Sequence, residues 1–159
     1  MMQNQIPKNH MDIPWHQFTG SDKSLPITQT GLTEKASVIG RTGLMMLSCG
    51  TGAWRVRSSM NSLATLLGVT CTADIGLMSI EYTCFDGTDC YSQSLCLTNT
   101  GVNTSKLNRM ERFVNDFDHE CCTMSGEQIH TYLDQIEQIH GLYLSLIHIS
   151  EPTRPRLIS

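Results

Sequence analysis

The feature that most constrains the fold is a proline-free stretch from Ile27 to Tyr143 in which the spacing of apolar residues changes twice. Helical spacing gives way to strict alternation, and helical spacing then returns. The stretch predicts the order α-α-β-β-β-α-α. Helices segregated from a small antiparallel sheet place the chain in the α+β class.

Two helices are predicted before the sheet. The first begins at Leu32 or Thr33, and Gly50 is a plausible residue to end it. Gly40 and Gly43 inside this helix would let a neighbouring helix approach closely, at a cost of about 1 kcal/mol each relative to alanine. The second helix spans about residues 52–67, and its apolar face recurs every three or four residues, at Val56, Met60, Leu63 and Leu67.

The central segment alternates like strands with one buried face. One strand surrounds Cys71, and a second carries Met78, Ile80, Tyr82 and Cys84 on its apolar side. The pair Asp86-Gly87 predicts a tight turn into a third strand over residues 90–98. Such a sheet must be covered by amphipathic helices.

Two further helices are predicted after the sheet. Asn103 or Thr104 can cap a helix over residues 105–120, and Ser125 with Gln128 forms a capping-box pattern before a helix over residues 126–140. The apolar stripe of the first contains Leu107, Met110, Val114, Phe117 and Cys121. That of the second contains Ile129, Leu133, Ile136 and Ile139.

The two ends of the chain differ from this central domain, predicted for residues 31–143. Residues 1–30 carry three prolines and many polar residues, which indicates a flexible leader in which Trp15 and Phe18 stay undocked. Residues 144–159 resemble the reading-frame translation of a transposase-type sequencing adapter, so we expect them to be artefactual and the natural gene to continue differently after Tyr143. The remaining residues carry a net charge of −5 instead of −4.

Composition excludes several classes of function. The acidic balance argues against a nucleic-acid partner, which requires a basic face. No run of 18 apolar residues and no secretory signal is present, which predicts a cytosolic globular domain.

The residues with possible chemistry assemble no recognisable site. The seven cysteines lack C-x-x-C spacing, which favours reduced, structural thiols. The segment 116–122 collects metal-ligand types, including His119 and Cys121, but consecutive helical residues point in different directions. His130 and His140 fall near an apolar stripe, and Gly50-Thr-Gly52 lacks a P-loop lysine. We therefore predict no catalytic residue, no metal ligand and no cofactor, and we assign no substrate-binding residue.

The order of short motifs resembles one known family. Residues 44–56 read LMMLSCGTGAWRV and lead through Leu67-Gly68-Val69 into the strands; Gly101-Val102-Asn103 opens a later helix. Over about residues 35–143 this is similar to the N-terminal domain of the threonine/serine exporter family. Gly52 stands where that family usually has an acidic residue, and Thr100 where it often has arginine.

The resemblance implies a cytosolic domain that precedes a bundle of membrane helices, supplied by the same chain or by a small partner subunit. It implies a bacterial inner-membrane exporter of threonine and serine, or of a dicarboxylate such as succinate, and no enzyme. A homo-oligomer is compatible with this. Two alternatives stay open at this point: a stand-alone regulatory or ligand-binding α+β module, and a hydrolase-like enzyme that would need a low-pKa cysteine beside a histidine.

Overall fold

A computed structural model describes residues 13–20, 23–97 and 100–139, and within them the predicted α+β order is confirmed. Two helices, α1 (Leu32–Ser48) and α2 (Ala53–Leu67), precede three strands, β1 (Thr70–Ile75), β2 (Ser79–Phe85) and β3 (Cys90–Cys96). Three helices follow: α3 (Thr104–Asn115), α4 (Phe117–Glu120) and α5 (Gly126–Glu137). In the part of the chain so described, no helix combines the length and apolarity needed to cross a bilayer.

Glycine ends the first two helices, as the sequence predicts. Gly50, just beyond α1, has a φ of 93°, and Gly68, directly after α2, has a φ of 77°. These left-handed conformations are accessible to glycine at little steric cost. The Gly68 amide donates to the carbonyls of Ala64 and Thr65, which satisfies the last turn of α2.

The three strands form an antiparallel sheet in the order β1-β2-β3. Its inner face buries Cys71, Ile80, Tyr82, Cys84 and Leu95. The outer face is polar, with Thr72, Thr83 and Ser92 side by side across the strands. One predicted core residue differs: Met78 is 38% exposed because it lies in the turn before β2 begins at Ser79.

Helix α1 lies at the centre of the domain. It packs against α2, against β2 and β3 of the sheet, and against α5. A Cβ atom at Gly43 would overlap the Met60 side chain of α2, and one at Gly40 would overlap the Tyr82 hydroxyl of β2. The predicted close approach of a helix is therefore confirmed at Gly43, whereas the neighbour at Gly40 is a side chain of the sheet.

The helix predicted over residues 105–120 is interrupted. It ends at Asn115, and Asp116 (φ −98°, ψ 6°) separates it from the short helix α4. Within α3 the buried face contains Met110 and Phe113, while Leu107 and Val114 of the predicted stripe are only half-buried. Asn103 caps α3, and the Ser125–Gln128 capping box of α5 is present as predicted.

Part of the predicted leader packs onto the domain. Trp15 is 3% exposed and Ile27 is fully buried. The Ile27 amide donates to the Met124 carbonyl at 2.8 Å, and Pro26 bridges to Ser125. The prediction that Trp15 and Phe18 stay undocked is therefore wrong, because Trp15 is buried in the core and Phe18 packs against it. The flexibility of residues 1–30 stays a prediction. Residues 1–12, 21, 22, 98, 99 and 140–159 lie outside the described residues, among them residue 98 at the end of the predicted third strand.

Candidate functional site: a buried arginine–histidine cluster

The most concentrated group of polar side chains lies between α1 and α5, centred on Arg41. The side chain of Arg41 is 3% exposed. Its Nη1 donates to the carbonyl of His130 at 3.1 Å and lies 3.2 Å from His130 Nδ1. Its Nη2 donates to Asp134 Oδ1 at 2.6 Å and to Glu137 Oε2 at 3.4 Å. A buried guanidinium is therefore held by one face of α5, as a buried charge requires.

His130 is fully buried, and its hydrogen bonds assign its protonation state. The Ser37 hydroxyl donates its proton to the Glu34 carbonyl at 2.7 Å, so Ser37 accepts from His130 Nε2 at 2.9 Å. Nδ1 then accepts from Arg41. Burial, reinforced by the positive charge of Arg41, lowers the pKa of His130 to about 3. The imidazole is consequently neutral with its proton on Nε2.

Residues 13–20, here called the strap, cross the α1–α5 pair. The Trp15 ring stacks on the His130 ring at a centroid distance of 6.1 Å and an interplanar angle of 17°, and the Arg41 guanidinium carbon lies 5.9 Å from the Trp15 ring centre. The Gly20 amide donates to the Glu34 carboxylate at 2.8 Å. The strap therefore contributes both an apolar cover and polar contacts.

His16 of the strap links it to two carboxylates of α5. Its Nε2 lies 2.7 Å from Asp134 Oδ2, and its Nδ1 lies 3.0 Å from Glu127 Oε2. Burial alone would lower the pKa of His16, but these two carboxylates outweigh it and raise the pKa. The same contacts hold the pKa of Glu127 below its ordinary value. His16 thus favours the charged form while His130 favours the neutral form.

A cleft of about 470 Å³ opens beside the cluster, between the strap and the ends of Arg41, Asp134 and Glu137. Partial burial opposes ionisation of Asp134, yet Arg41 and His16 hold its pKa below the ordinary value. Burial raises the pKa of Glu137 despite the neighbouring Arg41. Among the described residues no hydrogen-bond acceptor pairs with Arg41 Nε. The cleft therefore combines an aromatic wall with a cationic donor and carboxylate acceptors.

The Ser37–His130 pair does not have the geometry of a nucleophile and its base. A general base must offer an unprotonated nitrogen to the nucleophile. Here Arg41 occupies Nδ1 as a donor, which leaves the proton on the Nε2 that faces Ser37. Ser37 is also only 1% exposed. The arrangement suits packing and orientation, and it does not suit acyl transfer.

The cysteines also lack the features of activated nucleophiles. Burial raises the pKa of Cys49, and it raises the pKa of Cys121 to about 12. Cys71 and Cys84 face each other across β1 and β2, where the hydrogen bond between their thiols lowers the pKa of Cys71 and raises that of Cys84. The hydrolase-like alternative, which requires a cysteine thiolate activated by a histidine, gains no support from these environments.

The residues in the acidic segment do not converge. The His119 side chain is 80% exposed and lies 3.6 Å from Asp118, whereas Cys121 is buried. Across residues 13–20, 23–97 and 100–139, no three histidine, cysteine or acidic side chains are grouped closely enough to hold a metal ion. His140 lies outside the described residues.

Sequence reasoning did not find the cluster. Its members come from three separate segments: the strap, α1 and α5. One signal was available, because Arg41 is the single charged residue in the otherwise uncharged run from residue 36 to residue 48. A charge on a helix that is apolar on every side must find a partner.

Comparison with known proteins gives one result. No curated protein and no solved structure matches the chain. A family model does match, over residues 37–150, and its description is "Putative threonine/serine exporter". The match begins within α1 at residue 37 and runs through α5, and it contains Arg41, His130 and Asp134. The chain therefore belongs to the threonine/serine exporter family, ThrE.

Proposed function

We propose that this chain acts as the cytosolic N-terminal domain of an inner-membrane exporter of threonine and serine, or of a dicarboxylate such as succinate. The observation that carries the proposal is the family match over residues 37–150. Translocation needs a path through the bilayer lined by polar residues. We propose that membrane helices elsewhere in the same protein, or in a small partner subunit, supply that path.

In this proposal the domain itself regulates or scaffolds transport. The α1–α5 pair and the strap form a connected unit that transmits an occupancy signal in this proposal, since Arg41 links α1 to α5 through three side chains and a carbonyl. We further propose that residues 144–159 are adapter-derived and contribute nothing to this role; the last seven residues of the family match, 144–150, fall in this segment.

The experiment begins by sequencing the natural gene beyond codon 143 and expressing its complete reading frame in bacteria. Cells loaded with a threonine-containing dipeptide, or with labelled succinate, are followed for external solute. We expect faster export than in cells with the empty vector. His119→Ala, at a solvent-exposed position, serves as a matched control that leaves export unchanged. Absence of export of every solute by a membrane-inserted protein would contradict the proposal.

A stand-alone ligand-binding module is the second candidate, and the cleft beside Arg41 favours it. Its cationic donor, carboxylates and aromatic wall match the two charged ends and the small body of an α-amino acid. Calorimetric titration of the chain with L-threonine, L-serine and succinate tests this candidate. Binding by the chain, together with no export by the complete reading frame, would favour the module over the exporter.

A further inference from the structure

One end of the domain gathers most of the exposed apolar surface of the described residues. Six large hydrophobic side chains are exposed among the described residues. Four of them lie at this end: Trp54 (74%), Leu77 (93%), Met78 (38%) and Val102 (61%). We call these four residues the apolar end. Contiguous exposed apolar residues mark interaction surfaces more often than scattered ones do.

Backbone contacts place the four residues together. The Leu97 amide donates to the Met78 carbonyl, which brings the β1–β2 turn beside the segment that leads to Val102. The Gly101 and Asn103 amides donate to the carbonyls of Ser48 and Cys49 at the end of α1. Trp54 lies in the first turn of α2, a few residues after this junction.

The described chain also leaves the domain at this end. The Asn103 side-chain amide donates to the Ile139 carbonyl at 3.2 Å, directly beside Val102. Ile139 is the last described residue, and the family match continues beyond it to residue 150. Whatever follows α5 therefore starts from the apolar end.

Charge differs between the two ends. Exposed Arg55 and Arg57 follow Trp54 on α2, with Arg55 paired to Glu111 of α3, whereas Asp74 and Glu81 lie on the outer sheet face near the same end. The opposite end, which contains the β2–β3 turn and α4, carries the exposed carboxylates Asp86, Asp89, Asp118 and Glu120. An anionic surface would repel the opposite end and tolerate the apolar end.

From these observations we infer that the apolar end docks on the headgroup region of an anionic lipid bilayer, with Trp54, Leu77 and Val102 inserted at the interface. The inference rests on the proposed membrane attachment and adds which face of the domain meets the lipid. Tryptophan prefers this region because its ring is apolar and its N–H is polar. Side chains on turns and at a helix start can insert without unfolding any element.

The test uses the full chain and vesicles of equal parts phosphatidylglycerol and phosphatidylcholine. The chain has two tryptophans, and Trp15 is buried, so changes in fluorescence report on Trp54. We expect the emission to move to shorter wavelength and to be quenched by lipids brominated on their acyl chains. Leu77→Ser combined with Val102→Ser should weaken vesicle binding roughly tenfold. Phe85→Ser, at the opposite end and 43% exposed, is the matched control and should leave vesicle binding unchanged.

Three results would overturn the inference. The first is the absence of any emission shift or vesicle co-sedimentation. The second is equal weakening by Phe85→Ser. The third is an emission shift that depends on protein concentration without vesicles, which would assign the apolar end to contact between two copies of the chain. Circular dichroism shows whether each variant is folded.

The outcome is separable from that of the proposed function. If the complete reading frame exports solute but the chain does not bind vesicles, only the proposed docking surface is contradicted. Vesicle binding without export would keep the docking surface and discard the exporter.

Discussion

Helices α1 and α2 are neighbours of similar length, but their environments differ. In α1, 13 of 17 residues are buried, among them the polar or charged Glu34, Ser37, Arg41 and Thr42. In α2, five of 15 residues are buried, and all five are apolar. An apolar stripe is therefore enough to bury α2, whereas α1 must also satisfy buried polar groups. Ser37 and Thr42 donate to carbonyls of α1 itself, and Arg41 finds its partners on α5.

The largest expected effect comes from removing the central charge of α1. Arg41→Ala removes a guanidinium that is 3% exposed and that donates to the His130 carbonyl, Asp134 and Glu137. Loss of one member of a buried ionic group typically costs about 3–5 kcal/mol. We expect a loss of this size in the free energy of unfolding, measured by urea denaturation.

The control for Arg41→Ala is Arg57→Ala on α2. Arg57 is exposed, and its Nε donates to the Ala73 carbonyl at 3.3 Å. We expect a change within about 0.5 kcal/mol. Equal losses in the two variants would mean that α1 and α2 do not differ as their burial indicates.

Acid should weaken the α1–α5 contact next. The pKa of His130 falls from an ordinary value of 6.5 to about 3 in the folded protein. Below pH 6.5, His130 binds a proton in the unfolded chain but stays neutral in the folded chain. The stability that neutral His130 contributes is therefore fully present above pH 6.5 and is lost as the pH falls toward 3. The slope is at most about 1.4 kcal/mol per pH unit.

His130→Gln should flatten this slope, since glutamine does not titrate. His16 has the opposite sign: its raised pKa stabilises the strap below pH 6.5, and this contribution is lost as the pH rises through the folded pKa. Melting temperatures between pH 4 and 8 for the wild type, His130→Gln and His16→Gln separate the two. An unchanged slope in His130→Gln would contradict the assigned neutral state.

A smaller effect is expected from filling the closest approach of α1. Gly40→Ala places a methyl group against the Tyr82 hydroxyl, which donates to the Ala36 carbonyl at 2.9 Å. Overpacking of this kind costs about 1–3 kcal/mol. Gly52→Ala, at the N-cap of α2, meets nothing within 4 Å, so it should cost no more than about 1 kcal/mol, through the poorer capping by alanine. Thermal denaturation of both variants checks the contrast.

The smallest effect is expected outside both helices. Deletion of residues 144–159 should leave the melting temperature nearly unchanged, because a segment of the proposed adapter origin would never have been selected to pack. A loss of several kcal/mol on this deletion would show that the segment belongs to the domain.

The sequence predicts the fold well because each helix, strand and turn has a local sequence signal. The stripe of α2, the Asp86-Gly87 turn and the Ser125–Gln128 capping box each act within a few residues of chain. The break at Asp116 was missed because the helical spacing of apolar residues runs through it without interruption. The number of elements was thus easier to predict than their exact ends.

The candidate site could not be predicted from local signals, because its residues are far apart in the chain. His16 and Asp134 are 118 residues apart in the chain, and no spacing rule connects them. Trp15 was interpreted as undocked because a single aromatic residue has no period. Arg41 is the one site residue with a sequence signal, because an isolated charge in a buried helix requires polar partners. The sequence does not indicate which residues those partners are.

The distance along the chain between Arg41 and its partners also sets an order of events during synthesis. Arg41 and His130 are separated by 89 residues. At translation rates of about 5–20 residues per second, α1 therefore leaves the ribosome roughly 5–20 seconds before the helix that neutralises it. The first helices and the sheet can assemble in that interval, with one side of α1 still open. Completion of this domain waits for its final helix, and until then the uncovered side is available to chaperones.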